Sequence, residues 1–166
     1  MDSSMIGKIE KSIFYAHEPE RISFEKFEAT VQGDHKTHRV SYTQGNWDCD
    51  CDFFNYHGVC SHIMALERML TSSVKTAEAA YVMDSGIISK IEKAIIYAHE
   101  RERISFRNFQ AIFKGDHKEH EISYSRGTWN CTCTYFHSRG VCSHIMALER
   151  ILMESVQTAE AVPLPA

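Results

Sequence analysis

The 166-residue chain lacks the features of a membrane-bound or secreted protein. It has no uninterrupted apolar run of about 18 residues, the length that a helix needs to cross a bilayer. Its amino end, MDSSMIGKIEKSIFYAHE, has no basic stretch followed by an apolar segment, which a secretory signal requires. We therefore predict no membrane association and an intracellular location, either cytoplasmic or nuclear.

The chain also lacks an excess of positive charge and the common catalytic motifs. Its formal net charge is −4 and its pI is about 6.2, which excludes a strongly basic nucleic-acid-binding protein. Neither a GxxxxGKS loop nor a GxSxG elbow is present, and the HxE and PCxxC motifs of zinc deaminases are missing. With 43% hydrophobic and 24% charged residues, the composition is that of a folded globular protein.

The chain consists of two similar copies of one sequence. At an offset of 82 residues, Met1-Asp2-Ser3 aligns with Met83-Asp84-Ser85, and about 50 of the 79 aligned pairs are identical. The second copy begins with its own methionine, and no linker rich in Gly, Ser or Pro separates the copies. We therefore predict two fused modules, residues 1–82 and 83–166, which pack as an intramolecular pseudo-dimer about an approximate twofold axis.

Each copy has the pattern of an α+β module in the order α-β-β-β-α. The first helix is predicted over roughly residues 4–17, with Asp2, Ser3 or Ser4 as the N-cap. Apolar residues at helical spacing predict its buried face: Ile6, Ile9, Ile13 and Ala16 in the first copy, and Ile88, Ile91, Ile95 and Ala98 in the second. Tight turns are expected at Gln44-Gly45 and Arg126-Gly127.

The first strand changes the phase of its apolar alternation. Ile22 and Phe24 share one phase, whereas Phe27, Ala29 and Val31 share the other. One extra residue would restore a common face, so we predict a β-bulge at Glu25 or Lys26. The second copy predicts the same bulge at Arg107 or Asn108.

The third strand and the helix after it carry the candidate ligands. Strand periodicity predicts that four alternate residues face inwards: Trp47, Cys49, Cys51 and Phe53, or Trp129, Cys131, Cys133 and Tyr135 in the second copy. A short loop containing Gly58 or Gly140 then leads into a helix that opens with Cys-Ser-His. The loop is expected to fold the second pair of ligands over the first.

The spacing CxCx8CxH occurs in both copies and uses every cysteine of the chain. Three thiolates and one imidazole form the closed tetrahedral set of a structural zinc site. We therefore predict two Zn²⁺ ions per chain and metal-dependent folding. The predicted ligands are Cys49, Cys51, Cys60 and His62 for the first ion, and Cys131, Cys133, Cys142 and His144 for the second.

Other uses of these residues are disfavoured. Disulfides would leave an odd thiol in each copy and would not explain the matched histidines, and they are rare in reducing compartments. An iron–sulfur cluster accepts Cys3His but is much less usual in such a pattern. A second metal site at His35 and His38, repeated at His117 and His120, lacks clearly placed partners, so exposed turn histidines are favoured.

The CxC pair, the short loop and the CxH that enters a helix resemble the SWIM-type zinc finger. The motif covers about fifteen residues of each copy, and we expect the preceding strands to belong to the same module. The resemblance implies a zinc-binding module that contacts DNA or other proteins. No helicase, kinase or transposase segment accompanies it here.

We predict a non-catalytic protein that contacts an unidentified protein partner. The alternative is a nucleic-acid-binding zinc finger that acts mainly through the second module, because residues 1–82 carry a net charge of −4 whereas residues 83–166 are neutral. Arg126, Arg139 and Lys118 are its candidate phosphate-binding residues. An enzyme ranks third, since all four ligand positions are filled by protein and Cys60 and His62 are then not free to attack a substrate.

Overall fold

A computed structural model describes residues 2–77 and 84–160. The predicted boundary between the modules, at residues 82 and 83, lies outside these ranges. The elements of the first repeat are α1 (Ser3–Ala16), β1 (Ile22–Gln32), β2 (Thr37–Thr43), β3 (Asn46–Cys49), α2 (Asp52–His57) and α3 (Ser61–Leu70). Those of the second are α4 (Ser85–His99), β4 (Ile104–Lys114), β5 (Glu119–Ser125), β6 (Thr128–Cys131), α5 (Thr134–Arg139) and α6 (Ser143–Leu152). No helix in the described ranges is both long and apolar enough to cross a membrane.

The strands of both repeats form one six-stranded antiparallel sheet in the order β3-β2-β1-β4-β5-β6. The two repeats meet where β1 pairs with β4. Phe27 faces its own counterpart Phe109 at the centre of this pairing, and Ile22 pairs with Phe113 as Val31 pairs with Ile104. Because each pairing is the reciprocal of another, the repeats are related by an approximate twofold axis between β1 and β4, as predicted.

The bulges lie where the change of phase predicts them. Glu25 is skipped in the register between Phe24 and Lys26, and Arg107 is skipped in the corresponding place of β4. The carbonyl of each bulged residue accepts a hydrogen bond from the β2–β3 or β5–β6 turn, from the N–H of Gln44 and Arg126 at 2.8 Å. Both ends of each long strand therefore place their apolar side chains on the same face of the sheet.

The longer helices cover that apolar face. The first helix of each repeat packs on the last helix of the other repeat, an arrangement called here the exchange of helices. Helix α1 of the first repeat packs against α6 of the second, and α4 of the second packs against α3 of the first. A single hydrophobic core therefore extends over both repeats. The opposite face of the sheet is polar, and its alternate residues are exposed or half-buried.

The predicted buried face of the first helix is wrong. Ile6 and Ile13 are 46% and 41% exposed, and the side chains that α1 buries are Met5, Ser12 and Tyr15. Ile88 and Ile95 are likewise exposed on α4. Helix α1 is rotated relative to the predicted orientation because it packs on the other repeat. The buried hydroxyl of Ser12 donates a hydrogen bond to the carbonyl of Ile9 at 2.6 Å. The predicted N-cap is confirmed: Asp2 accepts a hydrogen bond from the N–H of Met5.

The predicted third strand is too long. Strand β3 ends at Cys49, and Cys51 is the N-cap of the additional helix α2, in place of a strand residue. The Cys51 sulfur accepts a hydrogen bond from the N–H of Phe54 at 3.4 Å, which starts the helix, and Gly58 ends it in the left-handed conformation at φ 74°. Cys133 and Gly140 do the same for α5.

The central contact of the two repeats gives a stability prediction. Phe109→Ala removes a fully buried ring at the twofold axis and should lower the free energy of unfolding by about 3–5 kcal/mol. Phe14→Ala, at an exposed residue of α1, is the matched control and should change it by about 0.5 kcal/mol or less. Urea denaturation measures both. Equal effects of the two substitutions would contradict the described pairing of β1 with β4.

Candidate metal centre

Three short elements bring four donor groups of the first repeat together. Cys49 is the last residue of β3, Cys51 caps α2, Cys60 caps α3, and His62 lies in the first turn of α3. All four are buried, and their donor atoms lie within 4.8 Å of one another. A strand end and two helix starts therefore face a single point.

The second repeat builds the same arrangement from its own elements. Cys131, Cys133, Cys142 and His144 are buried and their donor atoms lie within the same 4.8 Å limit. None of the six cysteines forms a disulfide. These are the two groups of donors found in the described residues, and neither His35 with His38 nor His117 with His120 forms a further one.

The spacing of the donor atoms fits a tetrahedral zinc ion. Zinc–sulfur and zinc–nitrogen distances of about 2.3 and 2.0 Å place a sulfur and a nitrogen about 3.5 Å apart. The Sγ of Cys49 lies 3.7 Å from the Nδ1 of His62, and the corresponding atoms of Cys131 and His144 are also 3.7 Å apart. Each group is thus suited to hold one zinc ion through three sulfurs and Nδ1, with no ligand position left for water.

Hydrogen bonds among the thiols of each group favour ionised sulfurs, which attract a metal cation. Hydrogen bonds from the Cys60 thiol lower the pKa of Cys49 to about 6 and that of Cys51 to about 4. The same hydrogen bonds, with burial, raise the pKa of Cys60 far above its ordinary value. The site therefore favours thiolates, the form in which sulfur binds a metal ion, and binding of the ion displaces the remaining proton. The second repeat shows the same directions at Cys131, Cys133 and Cys142.

Backbone groups at the helix starts support the sulfurs. The N–H of Phe54 donates to the Sγ of Cys51 at 3.4 Å, and that of Ile63 donates to the Sγ of Cys60 at 3.5 Å. The positive end of a helix dipole lies at each of these sulfurs, which stabilises a thiolate.

Aromatic residues of the opposite repeat cover the two histidine ligands. Tyr97 of α4 stacks on His62, with ring centroids 6.0 Å apart, and Tyr15 of α1 stacks on His144 at 5.9 Å. His38 and His120 pack on the same ligand rings from within their own repeats, at 4.3 and 4.4 Å. Sequence reasoning missed the two tyrosines, because they reach the sites only through the exchange of helices. It wrongly assigned His38 and His120 to exposed turns, whereas they lie in β2 and β5 and pack on the ligand histidines.

The three basic residues considered for phosphate binding do not come together. Lys118 and Arg126 lie at opposite ends of β5, in the turns that precede and follow it. The guanidinium of Arg139 is buried and donates to the carboxylate of Asp2 at 2.9 Å. Arg139 therefore ties α5 to the cap of α1 in the other repeat.

Loss of one ligand should remove one ion. Cys60→Ser and Cys142→Ser should each lower the zinc content from two ions to one per chain, and the double variant should bind none, because serine is a poor zinc ligand. Native mass spectrometry counts the ions. His35→Ala is the control and should keep both ions, since His35 belongs to neither group. Loss of an ion from this control would contradict the assigned ligands.

The exchanged tyrosines should act on the site of the opposite repeat. In the Cys142→Ser chain, which keeps only the first site, Tyr97→Ala should weaken zinc binding by about tenfold because it uncovers His62. Tyr15→Ala in the same chain should have little effect, since Tyr15 covers His144. Competition with a chromogenic chelator measures the affinity. A larger effect of Tyr15→Ala would contradict the exchange.

Comparison with known proteins agrees with this geometry. The family model of the SWIM zinc finger matches residues 38–70 and 122–151, which run from β2 to α3 and from β5 to α6 and include both groups of ligands. No curated protein and no solved structure matches the chain. The chain therefore carries two SWIM zinc fingers in tandem, one in each repeat, and each holds a buried Cys3His group suited to bind zinc.

Proposed function

We propose that the chain is a non-catalytic interaction protein whose two zinc ions hold a surface that binds a protein partner. The observation that carries this proposal is the closed set of protein donors in both sites. A catalytic zinc keeps a position for water or substrate, whereas four protein donors are typical of a structural role. A nucleophilic role for Cys60 is disfavoured because the metal would engage its sulfur.

The outer surface of the exchanged helices supports a protein partner. Apolar side chains are exposed on α1 and α4, among them Phe14, Ile88 and Ile96. Exposed large apolar side chains are a common feature of surfaces that contact other proteins. The net charge of −4 and the use of Arg139 in a contact with Asp2 also make a polyphosphate partner less favourable.

Nucleic-acid binding is the second candidate, and one observation favours it. Three lysines line a cavity of about 190 Å³ beside the second metal site: Lys8, Lys11 and Lys118. Two of them come from α1 of the first repeat, so the exchange of helices supplies positive charge that the sequence of the second repeat alone does not show. Asp116 also lines this second cavity, where it pairs with Lys11 at 3.1 Å. Lys36, Lys90 and Lys93 line the matching cavity of the first site together with two carboxylates, Asp34 and Asp52.

A capture experiment from the native cell tests the proposal. The zinc-loaded chain should retain a specific protein, and the Cys60→Ser/Cys142→Ser chain should lose it, because the surface depends on the metal. A gel-shift titration at about 50 and 200 mM salt provides the comparison with nucleic acid. Tight DNA binding that falls by about 10³-fold or more over this range, without a retained protein, would contradict the proposal and support the second candidate.

An intracellular location, cytoplasmic or nuclear, belongs to the same proposal. Six reduced cysteines arranged as metal ligands suit a reducing compartment, in which thiolates are not lost to disulfides.

A further inference from the structure

A groove of about 490 Å³ lies in the helical layer, away from both metal sites. The carboxyl-terminal parts of α1, α3 and α6 form its walls, together with the turn that begins at Arg101. Four corresponding pairs from the two repeats line it: Pro19 and Arg101, Arg68 and Arg150, Met69 and Ile151, and Thr71 and Met153. None of the eight zinc ligands lines this groove. The groove therefore belongs to the paired repeats rather than to either zinc finger.

Three guanidinium groups line the groove without a carboxylate. Arg101 donates to the backbone carbonyl of Ile151, and the Nε of Arg150 donates to the Oγ of Ser12 at 3.3 Å. Arg68 makes no hydrogen bond with any described residue. None of the three lies within ion-pair distance of a described carboxylate. In a chain with more acidic than basic residues, these three guanidinium groups form a local excess of positive charge.

Apolar side chains lie beside these cations. Ile13 is 41% exposed and Met153 is 51% exposed. The other apolar residues of the lining are Ala16, Pro19, Met69 and Ile151. A sugar–phosphate backbone would satisfy the guanidinium groups but would leave these apolar side chains in contact with water. A peptide that carries both carboxylates and apolar side chains would satisfy both parts of the lining.

The helix ends account for only part of this arrangement. Arg68 and Arg150 lie in the last turns of α3 and α6, where a cation is favourable to the helix dipole. That effect requires no apolar neighbours and no convergence of the two repeats on one groove. Arg101 already serves the end of α6 by donating to the Ile151 carbonyl.

We propose that this groove binds an acidic peptide segment with apolar side chains, supplied by a partner protein. Its carboxylates pair with Arg68, Arg101 and Arg150, whose planar groups match carboxylates in a bidentate way. Its apolar side chains cover Ile13 and Met153. This inference rests on the proposed function and names the chemistry of the partner.

Selection from a random peptide library tests the groove directly. A phage-displayed library of 12-residue peptides is panned on the zinc-loaded full chain, and the selected peptides are measured by fluorescence anisotropy. We expect the selected peptides to be enriched in Asp and Glu together with apolar residues. Arg68→Glu should weaken their binding at least tenfold, and Ile13→Ser should weaken it several-fold. Both residues are partly or fully exposed, so the fold should be retained.

Arg107→Glu is the matched control for the reversal of charge. Arg107 is exposed on the other face of the sheet, and its counterpart in the first repeat is Glu25, so the fold accepts a glutamate there. This variant should change peptide affinity by less than twofold. Peptides without acidic enrichment, or with equal affinity for the Arg68→Glu chain, would overturn the proposal. The proposal would also be overturned if the groove bound inorganic phosphate or single-stranded DNA, with binding lost in Arg68→Glu and retained in Ile13→Ser.

The failure of this inference and that of the proposed function can be distinguished. A cellular protein partner that the Arg68→Glu chain retains as well as the unchanged chain does would leave the interaction function standing and overturn the groove. The absence of any metal-dependent protein partner would instead overturn the proposed function on which the groove depends.

Discussion

We expect the fold of each repeat to depend on the bonds between one zinc ion and its four donor side chains. Strand β3 has four residues and helix α2 has six, and elements of such length are not stable alone. The candidate ligands lie at the end of this strand and at the starts of α2 and α3, so a bound ion would fix the position of all three elements. A structural zinc contributes roughly 10 kcal/mol or more of apparent binding free energy, comparable to the entire net stability of a small domain.

The exchange of helices joins the two metal sites into one structure. The tyrosine that covers each histidine ligand belongs to the other repeat. Two ion pairs also join the repeats: Lys11 with Asp116 at 3.1 Å, and Lys93 with Asp34 at 2.9 Å. A single repeat would therefore expose its ligand histidine and one side of its helix α3 or α6. Fusion of the two copies keeps the exchanged helices at a high effective concentration, which favours this pairing.

The features that could be predicted from the sequence are those set by residues close together along the chain. The spacing CxCx8CxH predicts the ligands, and the change of phase before Phe27 predicts the bulge at Glu25. The features that could not be predicted depend on contacts between the repeats. The rotation of α1 that exposes Ile13, and the pairing of Arg139 with Asp2, both result from the other repeat. Helix α2 was missed for a local reason. The alternation of apolar and polar residues up to Phe53 is typical of a strand, whereas the Cys51 sulfur in fact caps a helix.

A closed structural site in each repeat requires zinc bound by three sulfurs and one imidazole nitrogen. Zinc K-edge X-ray absorption of the purified full chain measures this coordination directly. We expect one type of site, with three sulfurs at about 2.3 Å and one nitrogen at about 2.0 Å per zinc. A first shell with fewer sulfurs, or with an oxygen from water, would contradict the closed structural site and the non-catalytic function inferred from it.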